Sequence, residues 1–127
     1  MPILAIDHIQ IAAPPRCEDA ARHFFGNLLG LQEISKPEAL RKRGGCWFAV
    51  GPAQLHIGVE TDFRPAKKAH PAFAVTNIDE LFAALSQAGV PCSWDENRGL
   101  LRRFFAEDPW GNRLEFTEPS LGHTEST

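Results

Sequence analysis

The amino-acid sequence predicts an α+β domain made of two β-α-β-β-β modules, whose sheets form a curled mixed sheet around a central groove. Three observations predict it. Strand-type alternation and helix-type periodicity follow one another in the same order twice along the chain. The helix-to-strand corner Leu29-Gly30-Leu31 has a counterpart in Ala88-Gly89-Val90. Four polar side chains, His8, His56, His70 and Glu115, occupy matching places in the two copies.

The first module covers about residues 4–60. Ile6 to Ala12 alternates in the manner of a strand and is stopped by Pro14-Pro15. From Glu18 to Leu29 the apolar residues Ala20, Ala21, Phe24, Phe25, Leu28 and Leu29 recur at helical spacing, with Gly30 as the stop. Leu31 to Ser35, Cys46 to Val50 and Gln54 to Glu60 read as three strands. The second module covers about residues 69–118. Pro71 to Val75 is its first strand, and Asn77 is the expected N-cap of a helix carrying Leu81, Phe82, Leu85 and Ala88 on one face. Gly89 and Pro91 end that helix. Pro91 to Trp94, Leu101 to Ala106 and Arg113 to Glu118 are the remaining strands, the last two joined by the turn Asp-Pro-Trp-Gly-Asn at 108–112. Residues 1–118 thus make one domain, and the small polar residues 119–127 are expected to form a flexible tail.

At 127 residues the chain is of single-domain size. No apolar run reaches the roughly 18 residues of a membrane span, and the N-terminus has neither the basic nor the long apolar segment of a signal peptide. Three widely separated cysteines, Cys17, Cys46 and Cys92, do not suggest a disulfide framework. A cytoplasmic protein is the expectation. The net charge of −3 argues against nucleic acid as a partner. Short basic clusters, Arg41-Lys42-Arg43, Lys67-Lys68 and Arg102-Arg103, read as solvated faces, with contact to an anionic substrate as the alternative.

Side chains alternate along a strand, so each strand can be sorted into two faces. Ile9 and Ile11 oppose His8 and Gln10. Leu55, Ile57 and Val59 oppose Gln54, His56 and Gly58. Phe73 and Val75 oppose His70, Ala72 and Ala74, while Leu114 and Phe116 oppose Arg113, Glu115 and Thr117. The apolar sets belong under the helices, which aims His8, His56, His70 and Glu115 into the groove. Any one of them has a plainer reading as a solvated or structural residue. Together they obey the repeat: His8 and His70 open their modules, and His56 and Glu115 sit in the matching contexts Leu-His-Ile and Leu-Glu-Phe. Three imidazoles and a carboxylate suit Zn, Ni, Fe or Mn better than Ca or Mg. His23, on the first helix, and His123, in the tail, fail this test.

Four stretches carry a family resemblance: Ile6-Asp-His-Ile-Gln-Ile, Phe25-Gly-Asn-Leu-Leu-Gly-Leu, Ala69-His-Pro-Ala-Phe-Ala-Val and Phe105-Ala-Glu-Asp-Pro-Trp-Gly-Asn-Arg-Leu-Glu-Phe. Through them the chain resembles a single-domain member of the vicinal oxygen chelate superfamily of glyoxalases, fosfomycin- and bleomycin-resistance proteins and extradiol dioxygenases. The resemblance implies a glyoxalase-like fold, one divalent transition metal, a homodimer and a small-molecule substrate that chelates the metal through adjacent oxygens. His8, His70 and Glu115 match three metal positions, and His56 the fourth. Isomerase or lyase chemistry is preferred, with Glu115 and His56 as the catalytic pair. An extradiol-type dioxygenase and a metal-free sequestering protein are the alternatives. The absence of tyrosine weighs against the dioxygenase, because Phe105 stands where those enzymes carry one. Gln10, Trp47, Arg103 and Phe105 are the residues expected to touch substrate.

Overall fold

The computed structural model describes residues 2–95 and 102–119. Leu101 and residues 120–127, with His123, lie outside them, so the expectation of a flexible tail falls there. The chain divides into two compact units, residues 1–65 and 66–127. Each holds one four-stranded mixed sheet.

In the first unit β1 (His8–Ala13) leads to α1 (Glu18–Ala21), which runs on as a π-helical stretch, Arg22–Leu28. Then come β2 (Gln32–Ile34), a 3-10 helix (Glu38–Arg43), β3 (Cys46–Val50) and β4 (Ala53–Val59). The sheet order is β1-β4-β3-β2, with β1 parallel to β4 and the other pairs antiparallel. The second unit repeats this with β5 (Ala72–Ala74), α2 (Ile78–Gln87), β6 (Cys92–Trp94), β7 (Arg102–Glu107) and β8 (Arg113–Glu118). Its order is β5-β8-β7-β6, again with the first and last strands parallel. The two modules read from the sequence are therefore present with identical connectivity.

Each sheet buries most of the apolar face that alternation assigned to it, although Ile9 at the start of β1 is exposed. In the first unit Ile11, Ile57 and Cys46 line up across three strands beside Leu55 and Phe48, and all five are buried. Ala21, Phe24 and Phe25 of the first helix are buried with them, Phe25 lying 5.9 Å from Phe48. The π-type bond from Leu29 N–H to the Phe24 carbonyl (3.0 Å) closes this helix. In the second unit Phe73, Phe116 and Phe104 line up across β5, β8 and β7. Leu85 and Ile78 of α2 are buried, and Phe82 meets Phe104 edge-on at 5.1 Å. Each buried Phe or Leu contributes about 2 kcal/mol from burial alone. Gly89 ends α2 as expected: its φ is +85°, and Val90 N–H reaches back to the Leu85 carbonyl at 3.0 Å.

Two local features differ from expectation. The 3-10 helix forms in a stretch whose charges carry no periodic signal. Asn77 does stand at the start of α2, but in the left-handed region (φ 53°), with no side-chain cap bond. A capping side chain needs an extended backbone to reach back into the first turn. Glu118 of β8 accepts from Ile78 N–H instead, at 3.4 Å.

Gly44-Gly45 delivers the chain into β3, both residues at positive φ. Glu18 accepts from Gly45 N–H at 2.6 Å, which ties the first helix to this corner. A Cβ on Gly45 would stand 2.0 Å from the Ile57 carbonyl oxygen, whereas one on Gly51, also at positive φ, would meet nothing. Gly45→Ala should therefore cost roughly 3 kcal/mol or more in urea unfolding, against about 1 kcal/mol for Gly51→Ala.

Candidate functional site

In the first unit the polar face of β1, β3 and β4 carries a stack of three rings. His56 in β4 is buried, with the Trp47 indole stacked on it at 3.7 Å (2° between planes) and His8 stacked at 4.1 Å (13°). Strand register explains this: Trp47 is the direct partner of His56, and β1 lies along the other side of β4. Asp7 accepts from His8 Nδ1 at 2.9 Å, and Gln54 accepts from His56 Nε2 at 2.9 Å. Burial, followed by the neighbouring charge of His8, pushes the His56 pKa down. His56 is thus held as neutral imidazole, the form that can donate a lone pair. Gln10 shares this face, its amide lying over Gly58, where a Cβ would stand 2.8 Å from it.

In the second unit the polar face of β7 and β8 meets the segment that enters β5. His70 Nε2 is 2.9 Å from Glu115 Oε1, and His70 Nδ1 donates to the Lys68 carbonyl at 2.8 Å. Arg103 Nη1 donates to Glu115 Oε2 at 3.3 Å and Arg103 Nε to Asp95 at 2.6 Å. Phe105, the cross-strand partner of Glu115, meets the His70 ring edge-on at 5.8 Å.

The 108–112 turn explains how His70 comes to Glu115. Asp108 accepts from Trp110 N–H (3.0 Å), Asn112 N–H (2.8 Å) and the Asn112 amide (2.7 Å). Burial raises the Asp108 pKa, opposed by these same bonds. Asn112 turns its own carbonyl to Ala66 N–H (2.8 Å), and the Ala66 carbonyl accepts from Arg113 N–H (2.9 Å). Lys67 adds a bond to the Gly111 carbonyl at 2.8 Å. The turn is a clamp on residues 66 and 67, and so on the approach to His70.

The structure thus brings His8 to His56 and His70 to Glu115. Among the described residues no group of three or more histidine, cysteine, aspartate or glutamate side chains is placed to hold one ion. Trp47 and Phe105, expected as substrate walls, lie against His56 and His70. Arg103, expected as a substrate contact, is taken up by two carboxylates and acts on Glu115. Asp7, Gln54, Asp95 and the Asp108–Asn112 pair were not anticipated as site residues. Alternation puts Gln54 on the face of His56, but nothing in a one-dimensional pattern says which acceptor reaches a ring nitrogen.

The donor set fits a transition metal. His70 is engaged at both nitrogens, Nδ1 with the Lys68 carbonyl and Nε2 with Glu115, whereas His8 and His56 each give one ring nitrogen to an oxygen acceptor and keep the other, His8 Nε2 and His56 Nδ1, for a metal. This is the arrangement that ligating histidines adopt. Two donors about 2.1 Å from one metal lie about 3 Å apart when they subtend a right angle, and the His70–Glu115 separation is 2.9 Å.

The sequence model of the Glyoxalase/Bleomycin resistance protein/Dioxygenase superfamily matches residues 5–116. Among solved structures, a glyoxalase family protein from Bacillus anthracis is 52% identical with a TM-score of 0.89, covering 93% of this chain and 97% of its own. Lactoylglutathione lyase from Agrobacterium tumefaciens has a TM-score of 0.74 at 18% identity, covering 93% and 96%. The fosfomycin resistance protein FosX from Listeria monocytogenes has a TM-score of 0.73 at 18% identity, covering 94% and 97%. These last two share the fold. A search of curated proteins finds no match.

Asn112→Ala removes the acceptor of Ala66 N–H and a donor to buried Asp108. It should lower stability by about 2–4 kcal/mol in denaturant unfolding and shift the His70 ring resonances in NMR spectra, while leaving those of His8 and His56 in place.

Proposed function

The chain belongs to the Glyoxalase/Bleomycin resistance protein/Dioxygenase superfamily, and we propose that it is a divalent-metal-dependent enzyme whose substrate presents two adjacent oxygens to the metal. His8, His56, His70 and Glu115 are the proposed ligands. The observation that carries this is the placing of the four donors in two pairs, His8 stacked on His56 at 4.1 Å and His70 Nε2 2.9 Å from Glu115 Oε1, with one ring nitrogen of His8 and one of His56 left over from their bonds to Asp7 and Gln54. Zn, Ni, Fe or Mn suits that set.

When bound, such an ion polarises the chelating oxygens as a Lewis acid. The chain's own residues do the rest. Arg103 and His70 hold the two oxygens of Glu115, so the carboxylate is aimed before substrate arrives. It is the group that takes a proton from the substrate carbon and returns it, as in an isomerase or lyase. His56, neutral and shielded by Trp47, serves as a ligand through Nδ1 or, where that nitrogen is off the metal, as the second proton acceptor. The Trp47 ring covers one face of the buried His56, and the Phe105 ring meets His70 beside the buried Glu115.

One feature favours a second reading. Both Glu115 oxygens already have protein partners, a cluster that is self-sufficient if His70 carries both protons. A metal-free protein that sequesters a small molecule would keep such a cluster. Elemental analysis of protein purified without chelator separates the two. Near-stoichiometric metal, lost in both His70→Ala and Glu115→Ala, is the expected result; metal-free protein that refuses added Zn, Ni, Fe or Mn would sink the enzyme reading. Iron in that analysis would favour an extradiol-type oxygenase over an isomerase or lyase.

The proposed working form is a homodimer in the cytoplasm. Ile3, Leu4 and Ile6 are 82%, 95% and 69% exposed just ahead of β1, an edge strand. Such a row of exposed apolar side chains is a surface that a second copy would cover. The three cysteines are free, Cys17 and Cys46 buried, as a reducing compartment allows. No helix among the described residues is long and apolar enough to cross a membrane. Light scattering should give twice the chain mass, and Leu4→Glu with Ile6→Glu should return it to that of one chain.

A further inference from the structure

We propose that a cleft in the second unit, beside Phe105, is an anion subsite that takes the carboxylate of a small organic acid. Arg113 and Lys67 are its cationic contacts and Phe105 its apolar wall. The cleft is about 270 Å³, and Lys67, Cys92, Phe105, Glu107 and Arg113 line it.

Arg113 is the main reason. Its guanidinium carbon stands 4.0 Å from the centre of the Phe105 ring, and the residue is half-buried. Three other arginines each hold a carboxylate: Arg22 with Glu33, Arg102 with Asp79, and Arg103 with Asp95 and Glu115. Arg113 holds none among the described residues. Glu107, its partner in strand register, is exposed and forms no ion pair with it. A partly desolvated guanidinium stacked on an aromatic ring, with its planar fork of donors unused, is built to receive a planar anion such as a carboxylate. Lys67 reinforces the charge. Its bond to the Gly111 carbonyl fixes the side chain and leaves two ammonium protons. Arg103 also approaches Phe105, at 5.3 Å, but its charge is already taken up.

The placement sets the substrate's shape. Arg113 and Glu115 are two residues apart on β8 and share a face, so the subsite lies on the order of 7 Å from the Glu115 position. Phe105 serves both ends, meeting the His70 ring at 81° between planes and carrying Arg113 over its face. The ligand that fits has adjacent oxygens at one end, a carboxylate at the other, and between them an aromatic ring or a short acyl chain. This ordering of the two ends rests on the metal reading given above; the anion subsite by itself does not.

The test uses chelator-treated full-length protein and phenylacetate, with phenylacetamide as its neutral counterpart. Calorimetry should show the acid binding at least about tenfold more tightly than the amide, and Arg113→Gln should erase that preference. Arg113→Lys should retain part of it. Equal binding of acid and amide, or an unchanged preference in Arg113→Gln, would each overturn the subsite. Metal uptake by Arg113→Gln, measured in parallel, should match that of the unaltered protein. If the unaltered protein takes up no metal yet prefers the acid, the subsite stands while the metal reading falls. If it takes up metal yet shows no preference, only the subsite falls.

Discussion

Parallel pairing of the first and last strand of each module is the constraint on which the rest depends. It places Gln10 against His56 and Ala72 against Glu115, residues that lie far apart in the chain. A parallel pair needs a crossover, and here the crossover contains the helix. The helix covers one face of the sheet and draws the apolar residues of every strand to that side. The polar residues are left facing the other way, side by side on neighbouring strands. The His8–His56 and His70–Glu115 contacts are consequences of this topology before they are consequences of any ligand.

Topology alone does not aim a side chain. In the second unit a chain of polar contacts does so, running from Asp95 through Arg103 to Glu115, then to His70 and the Lys68 carbonyl. Its far end is fixed by Asp108 and Asn112, which tie residue 66 to the β7–β8 turn. Asp108 accepts three bonds inside the protein. That compensation is what allows a carboxyl group to be buried there at all. In the first unit stacking takes the larger part, since His56 lies between two rings and its edge is held by Gln54.

The modules, their strands and the faces of the strands were legible in the sequence because they depend on periodicity, and periodicity is local. Cys46–Val50 and Arg113–Glu118 fall where alternation puts them, and Gly89 ends its helix for the reason its type suggests. The partners of the polar residues were not legible. Arg103 and Arg113 both lie on the polar face of one hairpin, yet one is absorbed by two carboxylates and the other rests on Phe105. That difference depends on Asp95 closing over β7, a contact between elements. Asn77 misled for a related reason: its type suits a cap, but the bond to Ile78 N–H comes from Glu118, on a strand distant in the chain.

The repeat extends further than the donors. Trp47 in β3 is the register partner of His56, and Phe105 in β7 is the register partner of Glu115. Each module thus sets an aromatic ring from its third strand beside the donor of its fourth. A ring at that place excludes water on one side, so every electrostatic contact of the donor is stronger than it would be in solution. It also restricts the neighbouring imidazole to rotation in a narrow slot, which lowers the entropy that ligand binding must remove. The rings differ in what else they touch. Trp47 is occupied by His56, whereas Phe105 has a face left for Arg113. The repeat therefore supplies equivalent donor positions, and the departure from it at Phe105 is what gives the second module the proposed anion subsite.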